Sequence, residues 1–208
     1  MKVVVPDLGL SNLWSARRAL ETLGHEVTVA ARPEPVASAD LVVLPGVGAF
    51  AEASRRLAAT GIGDAVREAA SRGAGVLGIC LGMQLLFESS EEGGDAPGLG
   101  LLPGRVSRLG GGARIPHVGW NRIAPTDRGT SLFGNGAGSG RYLYFVHSYV
   151  ARPASDDLVL ARCTHGESFP AAVGGAGRIG FQFHPEKSGE AGVRLLGAAI
   201  ASLAEGKP

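Results

Sequence analysis

The chain has 208 residues, 45% of them hydrophobic and 19% charged, with a formal net charge of +1. That length can bury a full core as one large domain or two small ones, and the near-neutral charge leaves neither a basic footprint for nucleic acid nor a polybasic patch for a membrane surface. Two cysteines, Cys80 and Cys163, are too few for a disulfide framework; with an N-terminal apolar run too short for a signal peptide and no apolar stretch of bilayer length, a cytoplasmic protein is expected.

Residues 2–5 form a β-branched run closed by Pro6, a first strand. Ser11 or Asn12 is placed to cap the next helix. Residues 13–23 carry Leu13, Ala16, Leu20 and Leu23 at a helical period and stop at Gly24. Strands are expected at 27–30 and 41–44, with a proline-punctuated connection between them. Helices follow at 51–59 and 64–71, broken at Gly61 and Gly63. Residues 76–79 are a short apolar strand and 83–87 the first turns of a helix. Short, wholly apolar strands alternating with helices predict an α/β fold with a mainly parallel central sheet flanked by helices.

The second half changes character. Glycine clusters at 93–94, 110–112, 134–140 and 174–177 separate strand-like segments at 105–109, 141–149, 158–164, 171–173 and 178–183. Such punctuation predicts hairpins and an additional antiparallel sheet region. The 134–140 stretch reads as a surface loop, and 191–204 as a closing helix. No repeat or linker-like composition appears, so a single domain over residues 1–208 is expected.

The chemistry centres on Gly78-Ile79-Cys80-Leu81-Gly82. A nucleophile at the tip of a sharp strand-to-helix turn needs small neighbours two residues away on either side, and this is the elbow pattern with cysteine in place of serine. The amides of the following helix favour the thiolate, and the N–H of Leu81 is placed to stabilise an oxyanion. A free cysteine alone is more often buried packing; Cys163, with no base pattern around it, is read that way.

A thiol nucleophile needs a base that a third group orients. Of the five histidines, His184 has the setting. In Phe181-Gln182-Phe183-His184-Pro185-Glu186, alternation puts Gln182 and His184 on one face and the phenylalanines on the other. Pro185 ends the strand, and Glu186 can return to the side of His184 and fix its tautomer. A second oxyanion donor is expected at Pro45-Gly46-Val47-Gly48, where the glycines leave the Gly46–Val47 peptide free to rotate. The same stretch spells Gly-x-Gly-x-x-Ala, a dinucleotide-binding pattern. It is disfavoured because it follows the third strand rather than the first, and because the residues about 20 positions on fall within a helix. No zinc motif and no phosphate loop is present, and no metal or cofactor is expected.

Together these motifs resemble those of the triad, class I glutamine amidotransferases. Within that group, Pro45 to Phe50, Leu85 to Gly93, Gly98 to Gly104, Pro116 to Asn121, Tyr144 to Tyr149 and Phe183 to Ser188 are similar to the glutaminase subunits of imidazole glycerol phosphate synthase. The resemblance implies that Cys80, His184 and Glu186 are catalytic, with Val47 and Leu81 as the oxyanion hole. It implies glutamine binding by Gly46, Gly48, Gln84, His147, Ser148 and Tyr149. It further implies ammonia transfer to a separate cyclase subunit, a (β/α)8 barrel, in histidine biosynthesis. Asn12, Trp120, Asn121 and Lys187, which have no triad role, are the candidates for that interface. The chain departs from the family pattern at Ser11, where a glycine is usual, and at His165, where an aromatic is usual. A silent scaffold is disfavoured by the intact triad. A related cysteine hydrolase is disfavoured by Leu81, where such relatives often carry histidine.

Overall fold

The computed structural model describes residues 1–10, 13–134 and 142–206. The first half runs β1 (Val3–Pro6), α1 (Leu13–Thr22), β2 (Val27–Ala30), α2 (Pro33–Ala37), β3 (Leu41–Gly46), α3 (Phe50–Thr60), α4 (Ile62–Ser71), β4 (Gly75–Cys80) and α5 (Leu81–Leu85). Four short strands follow: β5 (Ser89–Ser90), β6 (Ala96–Pro97), β7 (Gly104–Arg108) and the longer β8 (His117–Pro125). The remainder is α6 (Thr130–Phe133), β9 (Tyr142–His147), β10 (Tyr149–Pro153), β11 (Val159–His165), β12 (Glu167–Gly175), β13 (Arg178–Phe181) and α7 (Gly189–Ala204).

A nine-stranded sheet has the order β2-β1-β3-β4-β13-β12-β11-β8-β9. Its first five strands are parallel, and the pairs from β13 outward are antiparallel. A separate four-stranded sheet, β10-β7-β5-β6, lies beside it. The apolar runs of the parallel strands follow from burial on both faces. Val3, Val5, Val43, Leu77 and Ile79 pack on one side with α1 and α7. Val4, Val42, Leu44 and Val76 pack on the other with α3 and α4. The described helices include none long and apolar enough to cross a membrane.

Some boundaries differ from the sequence expectation, for physical reasons. The connection at 31–40 contains α2, which starts on Pro33, a residue suited to the first helical turn. Gly61, with φ +71°, breaks the helical pair alone, while Gly63 is inside α4. The expected strand at 141–149 is two strands: β9 ends at His147 in the large sheet, and β10 begins at Tyr149 in the small one. Ser148 is therefore the corner where the chain passes between sheets. The helix after Cys80 begins at Leu81 and ends at Leu85, shorter than an extended helix whose macrodipole would act on the thiol. Ser11, Asn12 and the 134–140 loop beyond Gly134 lie outside the described residues.

Candidate active site

Cys80 ends β4, level with Gly46 of β3 on one side, while β13 runs parallel on the other. Ligands bind at such carboxyl ends of parallel strands. The turn is as tight as the glycine spacing demands. Cys80 has φ +55° and ψ −108°, one of three non-glycine residues with positive φ among those described. A Cβ on Gly78 would stand 2.5 Å from the Gly82 carbonyl oxygen, and one on Gly82 only 1.7 Å from the Leu44 oxygen. No side chain fits at either place.

His184 follows β13 and is buried, as is the Glu186 side chain. Their Nδ1 and Oε1 atoms are 2.7 Å apart. This carboxylate contact places the proton on Nδ1 and leaves Nε2 for chemistry. Nε2 and Glu186 Oε2 are buried and lack hydrogen-bond partners among the described residues. Burial works against a charged ring, but the Cys80 sulfur and Glu186 outweigh it and hold the His184 pKa up at about 9. Nε2 and the sulfur are thus in electrostatic reach without forming a tight hydrogen bond.

The thiol faces a cavity of about 140 Å³ lined by Val47, Gly48, Cys80, Leu81, Gln84, Glu92, Val146, His147, Ser148 and Tyr149. The expected oxyanion residues and most of the expected substrate residues therefore share one wall; Gly46 is level with Cys80 in the sheet instead. Glu92 Oε2 accepts from the Phe50 N–H at 2.8 Å, which ties the loop after β5 to the start of α3.

The chain is similar to known proteins along nearly its whole length. The family model for class I glutamine amidotransferases matches residues 4–198. The chain belongs to the class I glutamine amidotransferase family. Within it, the chain is 45% identical, over 100% of its length and 98% of the relative's, to the imidazole glycerol phosphate synthase subunit HisH of Symbiobacterium thermophilum. It is 49% identical to the HisH of Carboxydothermus hydrogenoformans over 93% of this chain and 96% of that one. These likenesses put it among the HisH subunits. A solved glutamine amidotransferase structure superposes with a TM-score of 0.78 at 24% identity, covering 99% of this chain and all of that one, which shows the shared fold.

As a class I amidotransferase, the chain carries two buried relays that end on one atom, the Tyr149 carbonyl oxygen. Gln84 Nε2 donates to it at 2.9 Å, and His147 Nδ1 at 3.0 Å. A carbonyl only accepts, so His147 carries its proton on Nδ1. Burial first, then neighbouring His117, lowers the His147 pKa to about 3, so Nε2 is bare and accepts from His117 Nδ1 at 3.0 Å. Burial and nearby His165 lower the His117 pKa to about 4, so His117 Nε2 in turn accepts from Asn121 Nδ2 at 3.2 Å. His117 is also stacked between Phe145 and His165.

Among the interface candidates, Trp120 is 54% exposed, on the same stretch of β8 as exposed Val118. Lys187 is exposed beside the buried His184. The Asn121 side chain is turned back to His117 and the Thr164 carbonyl. Asn12 lies outside the described residues. The sequence reading did not single out Gln182, Glu92 or His117 as site residues. Period-two alternation had already set Gln182 on the face of His184, so that signal was available; nothing in local spacing points to Glu92.

Proposed function

We propose that Cys80, His184 and Glu186 are the catalytic triad of a glutaminase that supplies ammonia to a separate cyclase subunit. The observation that carries this is the buried His184–Glu186 contact beside a cysteine held at positive φ on the end of a central parallel strand.

The Cys80 sulfur attacks the side-chain amide carbon of glutamine. The Leu81 and Val47 N–H groups stabilise the oxyanion. The C–N bond then breaks, and His184 gives its proton to the departing nitrogen, releasing ammonia and leaving a thioester. An imidazole that holds its proton up to about 9 is ready for that step at neutral pH. Bare His184 next takes a proton from water as the hydroxide attacks the thioester, and glutamate leaves as the thiol reforms. Glu186 holds the ring through both half-reactions. Gly46 and Gly48 keep the donor strand free of side chains, and Gln84, His147, Ser148 and Tyr149 shape the glutamine seat.

The acceptor of the ammonia is a cyclase of (β/α)8 barrel form, which makes imidazole glycerol phosphate and AICAR in histidine biosynthesis. Exposed Trp120 and Lys187 lie on the docking face, with Asn121 next to Trp120 in β8; Asn12, the remaining interface candidate, is outside the described residues. A single domain over residues 1–208 and a cytoplasmic setting belong to this reading. The test is Cys80→Ala in the reconstituted complex. Glutamine hydrolysis is lost while synthesis from added ammonia continues; retained hydrolysis would remove Cys80 from the mechanism.

A further inference from the structure

We propose that Gln182 is a further catalytic residue: its side-chain N–H donates to the Cys80 sulfur and favours the thiolate. This rests on Cys80 being the nucleophile. Gln182 is fully buried just past β13, and its Nε2 is 3.7 Å from Cys80 Sγ.

Which way a buried amide points is set by its network, and here the network has a fixed end. The Tyr149 carbonyl can only accept, so the Gln84 group facing it is the NH₂. That same NH₂ donates to Gln182 at 3.1 Å, so the Gln182 atom facing it is Oε1. The Gln182 NH₂ is thereby turned onto the sulfur. Gln84 is the positioning residue and Gln182 the one that touches the reacting atom.

The sulfur has a second polar neighbour, the Val146 carbonyl oxygen at 3.7 Å. A carbonyl favours the protonated thiol; an N–H donor favours the thiolate. Without Gln182 the hydrogen-bonding environment of the sulfur would tilt toward the unreactive form. The titratable groups near Cys80 among the described residues are His184 and Glu186 after β13, His147 at the end of β9, Tyr149 at the start of β10 and Glu92 in the cavity wall. The hydrogen bonds of the Gln182 side chain go to Gln84 and Cys80, so substituting it leaves the hydrogen bonds of those groups in place.

The experiment is alkylation of Cys80 by iodoacetamide in the full chain, read at the Cys80 peptide by mass spectrometry. It compares neutral pH with a pH alkaline enough to ionise an ordinary cysteine thiol fully while the chain stays folded. Gln182→Met keeps the length of the side chain and removes the donor. Alkylation should slow about tenfold at neutral pH, the size of one hydrogen bond to a charged group, and stay unchanged at alkaline pH. Gln84→Leu, which frees the Gln182 amide to turn, should give the same pattern and carries the test if Gln182→Met does not fold. An unchanged neutral rate, or an equal loss at both pH values, would overturn the proposal. Failure of the underlying reading is a separate result: glutaminase retained in Cys80→Ala.

Discussion

Glu186 Oε1 lies 2.7 Å from His184 Nδ1, two residues away, and both side chains are buried. The contact makes the charged imidazole part of the folded state. Because the folded pKa is raised to about 9 from an ordinary 6.5, the stability this group contributes is fully present below about 6.5 and is lost as pH rises through about 9. Glu186→Gln removes one of the two groups that hold the pKa up. Stability measured by urea denaturation at a series of pH values should then fall less steeply between those limits than in the native chain. An identical slope would show that Glu186 does not support the charged ring.

The second expectation concerns the strand end beside Cys80. Val47 lines the cavity with Leu81, and Gly48 beyond it has φ +107°. Val47→Pro deletes one of the two proposed oxyanion donors. Turnover of the complex should fall on the order of 10²–10³-fold. The alkylation rate of Cys80 should change little, because the elbow itself is untouched. Near-normal turnover in a folded, partner-bound variant would place the second donor elsewhere.

A glutaminase without its acceptor would waste glutamine. The isolated chain should therefore turn over slowly, and the cyclase subunit carrying its nucleotide substrate should accelerate it. Rotation of the Gly46–Val47 peptide is the two-state element that this binding would bias. Equal rates for the isolated chain and the loaded complex would refute the coupling.

His117 is not part of the cavity lining, yet it supplies the only proton within reach of His147 Nε2 among the described hydrogen bonds. His117→Phe keeps a ring for the stack with Phe145 and leaves that nitrogen buried and unsatisfied. The cost should be about 1–3 kcal/mol in denaturation. KM for glutamine should rise more than kcat falls, because His147 and Ser148 wall the cavity. His117→Asn, with an amide N–H near the place of Nδ1, should recover part of the loss. An unaltered KM in both variants would reduce the relay to packing.

The sequence disclosed those parts of the molecule whose chemistry is local. The elbow glycines, the His184–Glu186 spacing and the apolar strands of the parallel sheet are each written within a few residues. The passage between the two sheets at Ser148 was not legible, because a continuous β-prone run does not say that its halves pair with different partners. The relays were hidden for a related reason. Gln84 meets Gln182 across 98 positions, and only the register of β4 beside β13 brings them to the same end of the sheet. Glu92 reaches Phe50 across 42 positions and gives no local sign of it.

Where β3 meets the elbow, Gly46 and Gly82 leave no room for a side chain of their own. A Cβ on Gly46 would lie 2.8 Å from that of Leu81, and one on Gly82 would lie almost on the Leu44 oxygen. The approach of the donor strand to the elbow thus depends on two positions that carry no Cβ. Substitution at these places can only push the two apart. A population of variants selected for faster or slower ammonia release should leave these two positions untouched, and collect its changes in the cavity wall and on the β8 surface around Trp120.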